Sequence, residues 1–130
     1  MQDSLKDITH VDDVRVFVYA FYAQVQQDDL IGPIFNLVIE DRWPIHLEKM
    51  VGFWQTVLLN ERAYSGSPFP PHAKLPINKS HFDRWLSLFN ATINDHFKGE
   101  KASEAKWRAQ KMGEMFSYKI EYLRNQKDDS

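Results

Sequence analysis

Apolar positions along the chain recur with the period of a helix. Val14, Phe17, Val18, Phe21, Tyr22 and Val25 follow i, i+3, i+4, i+7, i+8, i+11, one face of a helix about four turns long. Thr9 with Asp12 reads as its capping box, and the helix should stop near residues 28–29, ahead of Gly32-Pro33. The run Gly-Pro-Ile-Phe-Asn at 32–36 predicts a tight corner or a single helical turn that pushes Ile34 and Phe35 inward. A second long helix, capped by Asp41 and tolerating Pro44 in its first turn, carries His46, Met50, Phe53, Trp54, Val57 and Leu58 on its inward face. Gly52 inside it weakens the helix and marks close approach of another element.

Residues 62–80 break the pattern. Pro68, Pro70, Pro71, Pro76 and Gly66 exclude a long helix there and leave a Pro-rich loop holding Phe69 and His72. Ser80 with Asp83 reads as the next capping box, followed at helical spacing by Phe82, Trp85, Leu86, Phe89, Ile93, His96 and Phe97, with Gly99 as a stop. A last helix carries Ala105, Ala109, Met112, Phe116, Ile120 and Leu123 on one face. No stretch alternates as a strand would. The fold class is therefore all-α: four substantial helices, a short one near Phe35, and a Pro-rich loop between the second and third long helices.

Composition narrows the function classes. The 130 residues suit one domain over the whole chain, with polar tails at about residues 1–8 and 126–130. Sixteen Lys and Arg against eighteen Asp and Glu leave a formal charge of −2, with no dense basic block, which argues against nucleic acid as a partner. No apolar run approaches the ~20 residues of a membrane span. The polar, acidic start lacks the pattern of a secretory signal, and a cytoplasmic location is the expectation. With no cysteine, disulfides, thiolate metal sites, Cys nucleophiles and covalent haem attachment are all excluded. Aromatic residues make up 14%, either a tight core or the walls of a pocket for a flat apolar ligand.

The histidines divide into two sets. His10, His81 and His96 sit near helix ends, where surface position, capping or the helix dipole explains them. His46 opens an apolar helix face, and His72 stands in the rigid loop; a hydrogen-bonded core histidine and a surface loop residue are the plain readings. The two flank one aromatic-rich helix, which could face a shared pocket. A di-iron bundle needs Glu-x-x-His on two helices, and the chain offers only Asp7-x-x-His10. H-E-x-x-H, G-x-x-x-x-G-K, G-x-G-x-x-G and G-x-S-x-G are all absent. The inventory then fits two descriptions: a helical bundle with an aromatic core, or a non-covalent haem pocket with apolar walls, an imidazole and polar donors.

The chain resembles the truncated haemoglobins, specifically their third group, over about residues 10–123. The residues that carry the resemblance are Phe21-Tyr22, then Leu30-Ile31-Gly32-Pro33-Ile34-Phe35-Asn36; Trp43-x-x-His46 leading to Gly52-Phe53-Trp54; and His72, Leu75-Pro76, then His81-Phe82-x-x-Trp85-Leu86-x-Leu88-Phe89. The Gly-Gly motifs of the other truncated groups are missing, as the third group requires.

The resemblance implies a truncated globin fold around a non-covalent haem b. It makes His72 the proximal iron ligand, with Tyr22, His46 and Trp85 on the distal side. It also implies that Phe35 packs on the porphyrin, that Met50 is an apolar distal residue, that Phe53 and Trp54 wall the haem, and that Lys49 offers a cation to a propionate. Phe89, Met112 and Phe116 are expected to complete the pocket. The implied partner is dioxygen or another diatomic gas (nitric oxide or carbon monoxide), held by distal hydrogen bonds too firmly for bulk transport. The alternative is a nitric oxide dioxygenase or peroxidase-like enzyme drawing electrons from a separate reductase. A haem-free helical interaction module is the reading from a different class.

Overall fold

A computed structural model describes residues 5–64 and 77–128. Gly66, Pro68, Phe69, Pro70, Pro71, His72 and Pro76 of the Pro-rich segment lie outside the described residues, as do the ends of both tails. The described residues form five helices: α1 (Val11–Gln27), α2 (Gly32–Ile39), α3 (Trp43–Leu59), α4 (Lys79–His96) and α5 (Glu100–Asp128). The all-α expectation holds, and the corner at 32–36 is a short helix of eight residues. None of these helices is long and apolar enough to cross a membrane.

The caps are shifted from the expected positions. The N-cap of α1 is His10, whose Nδ1 accepts the Asp12 N–H at 3.3 Å. Asp13, not Asp12, reaches back to the Thr9 N–H and hydroxyl, at 3.0 and 3.3 Å. The displacement follows from the buried stripe: turning Val14 and Phe17 inward brings the neighbouring Asp13 inward too. Arg42, not Asp41, precedes α3, with no side-chain cap. Its guanidinium instead folds back onto the Val38 and Ile39 carbonyls at 2.7 and 3.3 Å, closing the end of α2. On α4 the box is Asn78 with His81 rather than Ser80 with Asp83: Asn78 Oδ1 accepts from Ser80 N, and His81 Nδ1 accepts from Asn78 N, each at 3.0 Å. Gly99 does not end α4, which closes at His96; at φ +141° it turns the chain into α5.

Residues 6–8 of the lead-in are tied to the rest of the fold. Lys6 pairs with Phe97 in an isolated parallel bridge, and Ile8 is 1% exposed inside the core. Between them Asp7 accepts the Lys101 and Ala102 N–H groups at 3.0 and 2.9 Å, capping α5 from ninety residues away. A Cβ at Gly99 would stand 2.5 Å from Asp7 Cγ, so the latch requires glycine there. Partial burial pushes the Asp7 carboxyl up, but the N–H groups of Lys101, Ala102, Ile8 and Glu100 outweigh it, and the net shift is downward. A carboxyl lowered on folding stabilises the protein above its ordinary value, and that stability is lost as pH falls through the lowered one. Asp7→Ala should therefore cost about 0.5–2 kcal/mol at neutral pH, with the deficit shrinking below about pH 4. Denaturant melts at pH 7 and pH 3 check this; a deficit independent of pH would refute it.

Helix α1 runs through the middle of the molecule, packed by α2, α3 and α4, while α5 lies on α4. Phe17, fully buried, meets Trp54, Phe89 and Phe97 edge-on at 5.9, 5.8 and 6.4 Å between centroids. Gly52 does mark a close approach: a Cβ there would meet the Ala63 carbonyl at 2.6 Å. Thr56 ties the same place together, donating to Gly52 O and accepting from Ala63 N at 2.9 and 3.0 Å. Thus the backbone leaving α3 is drawn back along it before residue 65.

Candidate functional site

One cavity of about 370 Å³ lies beside α1, where all five helices reach it. Helix α3 supplies one wall through a single stripe: His46, Met50 and Phe53 follow i, i+4, i+7, and Lys49 flanks them at the exposed rim. Tyr22 enters from α1, Phe35 from α2, Trp85 from α4, and Met112 with Phe116 from α5. Trp54 also reaches the lining. The structure thus gathers around one cavity ten of the expected pocket residues. The eleventh described one, Phe89, is not among the lining residues. It is a core residue 1% exposed, held between Trp54 at 5.1 Å and Trp85 at 5.6 Å in near-parallel stacks. Its position on α4, one turn beyond Trp85, turns it toward α1 rather than the cavity. His72 lies outside the described residues, but the chain leaves the described part at Tyr64 and rejoins it at Ile77, and both of these line the cavity.

Tyr22 and His46 form the polar corner. Their rings meet edge-on at 5.2 Å, and Trp43 packs on both, at 5.8 Å from Tyr22 and 5.7 Å from His46. Trp43 is itself fixed by its Nε1–H, which donates to Asn36 Oδ1 at 3.2 Å. Burial pushes the Tyr22 phenol well above its ordinary range, so it stays protonated at any working pH. Among the described residues its hydroxyl has no hydrogen-bond partner, and the ring is 5% exposed. A phenol on a cavity wall has a donor to offer an acceptor inside the cavity. Trp85 leans on Phe21 at 5.7 Å and likewise makes no hydrogen bond through its indole N–H among the described residues.

Several lining residues went unassigned in the sequence. His81 caps α4 as expected of a histidine at a helix start, yet it also lines the cavity, with Phe82 and Gly113 close by. Ile45, Val38 and Arg42 stand at the rim. Trp43 has its signal in the sequence, one turn before His46, although its job is to brace the corner rather than to line the cavity. His10 and His96 stay local: His96 Nδ1 contacts the Thr92 carbonyl at 2.9 Å.

Comparisons with known proteins identify the family. The family profile of bacterial-like globins matches residues 7–117. A group 3 truncated haemoglobin of Campylobacter jejuni is 35% identical over 100 residues, which cover 74% of this chain and 79% of that protein. A crystal structure of group III truncated haemoglobin from Campylobacter jejuni superposes with a TM-score of 0.82 at 29% identity, covering 89% of this chain and 94% of that one. The chain belongs to the bacterial-like globins, as a truncated haemoglobin of group III.

Globins hold haem, and the residues present fit that group. The walls are aromatic and aliphatic, as a porphyrin face requires. Lys49, an exposed cation with no ion pair among the described residues, stands at the rim and could pair with a carboxylate of the bound group. Inside, Tyr22 brings a protonated hydroxyl to the cavity wall.

Proposed function

We propose that the chain binds haem b non-covalently through His72 and holds a diatomic gas, dioxygen above all, against Tyr22, His46 and Trp85. The observation that carries this reading is Tyr22, a buried residue on the cavity wall whose hydroxyl has no acceptor among the described residues. His72 gains support from Tyr64 and Ile77, since the segment that contains it begins and ends on the cavity wall. When bound, the haem would supply an iron that can take up a gas. The residues supply the rest. Tyr22 donates its proton in a hydrogen bond without releasing it, because burial disfavours the phenolate. His46 and Trp85 offer ring N–H groups from the two neighbouring helices. The apolar lining excludes water, which strengthens every donor aimed at a partly charged ligand. Lys49 pairs with a propionate at the rim.

Hemin titration tests the reading. The wild-type protein should take up one haem per chain and develop a Soret band. His72→Ala should shift the ferrous spectrum and lose haem to an acceptor globin at least about tenfold faster, as expected for a lost bond worth more than about 1.4 kcal/mol. Wild-type protein that stays colourless with hemin, or a His72→Ala variant identical to it, would overturn the proposal.

A further inference from the structure

Helix α5 is apolar on two opposite sides. Its inner side, with Ala105, Ala109, Phe116 and Ile120, is buried against α4. On its outer side Trp107 is 56% exposed, Met115 44%, Tyr118 71% and Tyr122 54%. At about 100° per residue, these four fall with Lys111 and Glu114 within an arc of about 100°, a stripe roughly 22 Å long. Scattered exposed apolar residues need no explanation, but a contiguous aromatic stripe opposite the core face does.

The spacing of the stripe is self-complementary. Trp107, Lys111, Glu114, Met115, Tyr118 and Tyr122 are separated by four, three, one, three and four residues, a sequence of steps that reads the same in both directions. A two-fold axis between residues 114 and 115 therefore matches the stripe to its own antiparallel copy. In that arrangement Trp107 of one chain would meet Tyr122 of the other, Lys111 would meet the face of Tyr118, and Glu114 would meet Met115. Lys111 then lies one turn from the opposite Glu114. That pair already forms within one chain, at 3.7 Å, and would repeat across the axis twice. From the exposed fractions the apolar side chains leave roughly 500 Å² per chain. Full cover of these side chains would bury at most about 1,000 Å² in the pair, the range of weak, transient interfaces. We infer that the outer face of α5 is a self-association surface, on which a second copy of this chain packs antiparallel to give a weak, concentration-dependent dimer.

Sedimentation velocity on the haem-loaded full chain, from about 1 to 500 µM, tests this. The wild type should pass from monomer to dimer across that range. Tyr118→Glu should remain monomeric throughout, with unchanged circular dichroism. Lys111→Glu and Glu114→Lys should each be monomeric alone, because each places like charges across the axis. Mixed in equal amounts they should dimerise, since opposite charges then face at both contacts. The inference is overturned if the wild type stays monomeric at 500 µM, if its dimer survives Tyr118→Glu, or if the mixture does not recover what the single reversals lost. A wild-type monomer that binds phosphatidylglycerol vesicles through the same stripe would also overturn it, in favour of a membrane-surface role.

Discussion

Tyr22→Phe is expected to speed dioxygen release from the haem-loaded protein by about 10- to 150-fold. A hydrogen bond to a partly charged ligand is worth about 1.5–3 kcal/mol, and about 1.4 kcal/mol is a factor of ten. The substitution removes one oxygen atom and keeps the ring. That ring is held on four sides, at 4.8 Å from Phe21, 6.2 Å from Phe35, 5.8 Å from Trp43 and 5.2 Å from His46, so Phe should sit where Tyr does. The hydroxyl has no acceptor among the described residues and opens onto the cavity, so the ligand-free protein should lose little stability. The combination is diagnostic: a much faster off-rate with an unchanged melt. The pH dependence has a definite sign as well. Burial raises the phenol above its ordinary value, so it remains a donor throughout pH 6–9, and the wild-type off-rate should show no step there from Tyr22. Stopped-flow displacement of dioxygen by carbon monoxide gives the rate. An off-rate within twofold of wild type would sink the donor role of Tyr22.

The helices were legible because each has a long stripe at period 3.6 and a breaker at its end, as with Val14 to Val25 ahead of Gly32-Pro33. The caps were less so. Thr9 with Asp12 and Ser80 with Asp83 match the capping pattern, yet side-chain geometry chose His10 and Asn78, one or two residues away, because the buried stripe fixes the rotation of each helix first. The latch of Asp7 on α5 was invisible, since its partners are more than ninety residues distant and the lead-in reads as polar. At the site, residues on regular helices could be placed by spacing: His46, Met50 and Phe53 share one face in the sequence and in the structure. Phe89 could not, because it and Trp85 are one turn apart on one stripe, and only tertiary packing decides which of the two faces the cavity.

That division of labour makes Phe89 a residue whose loss should cost the fold heavily. Its ring packs on four others: Phe17 at 5.8 Å, Phe21 at 5.3 Å, Trp54 at 5.1 Å and Trp85 at 5.6 Å. Phe89→Ala should destabilise the apoprotein by about 3–5 kcal/mol, the cost of a buried Phe plus an uncollapsed cavity. A domain of this size has only about 5–15 kcal/mol in hand, so its melting temperature should fall by roughly 10–20 °C. Phe89→Leu, which keeps much of the volume, should cost under about 1.5 kcal/mol. The reason to expect more than a stability loss is Trp85. Its indole reaches the cavity from a stack on Phe89, so a void behind it frees the ring to rotate. Phe89→Ala should therefore broaden the distribution of ligand release rates, while Phe89→Leu restores a single rate. If Phe89 instead touched the haem directly, its removal would weaken haem retention and leave the apoprotein melt nearly unchanged. Melts of apo and haem-loaded protein separate the two: a large apoprotein loss supports the core position, and a loss confined to the haem-loaded form refutes it.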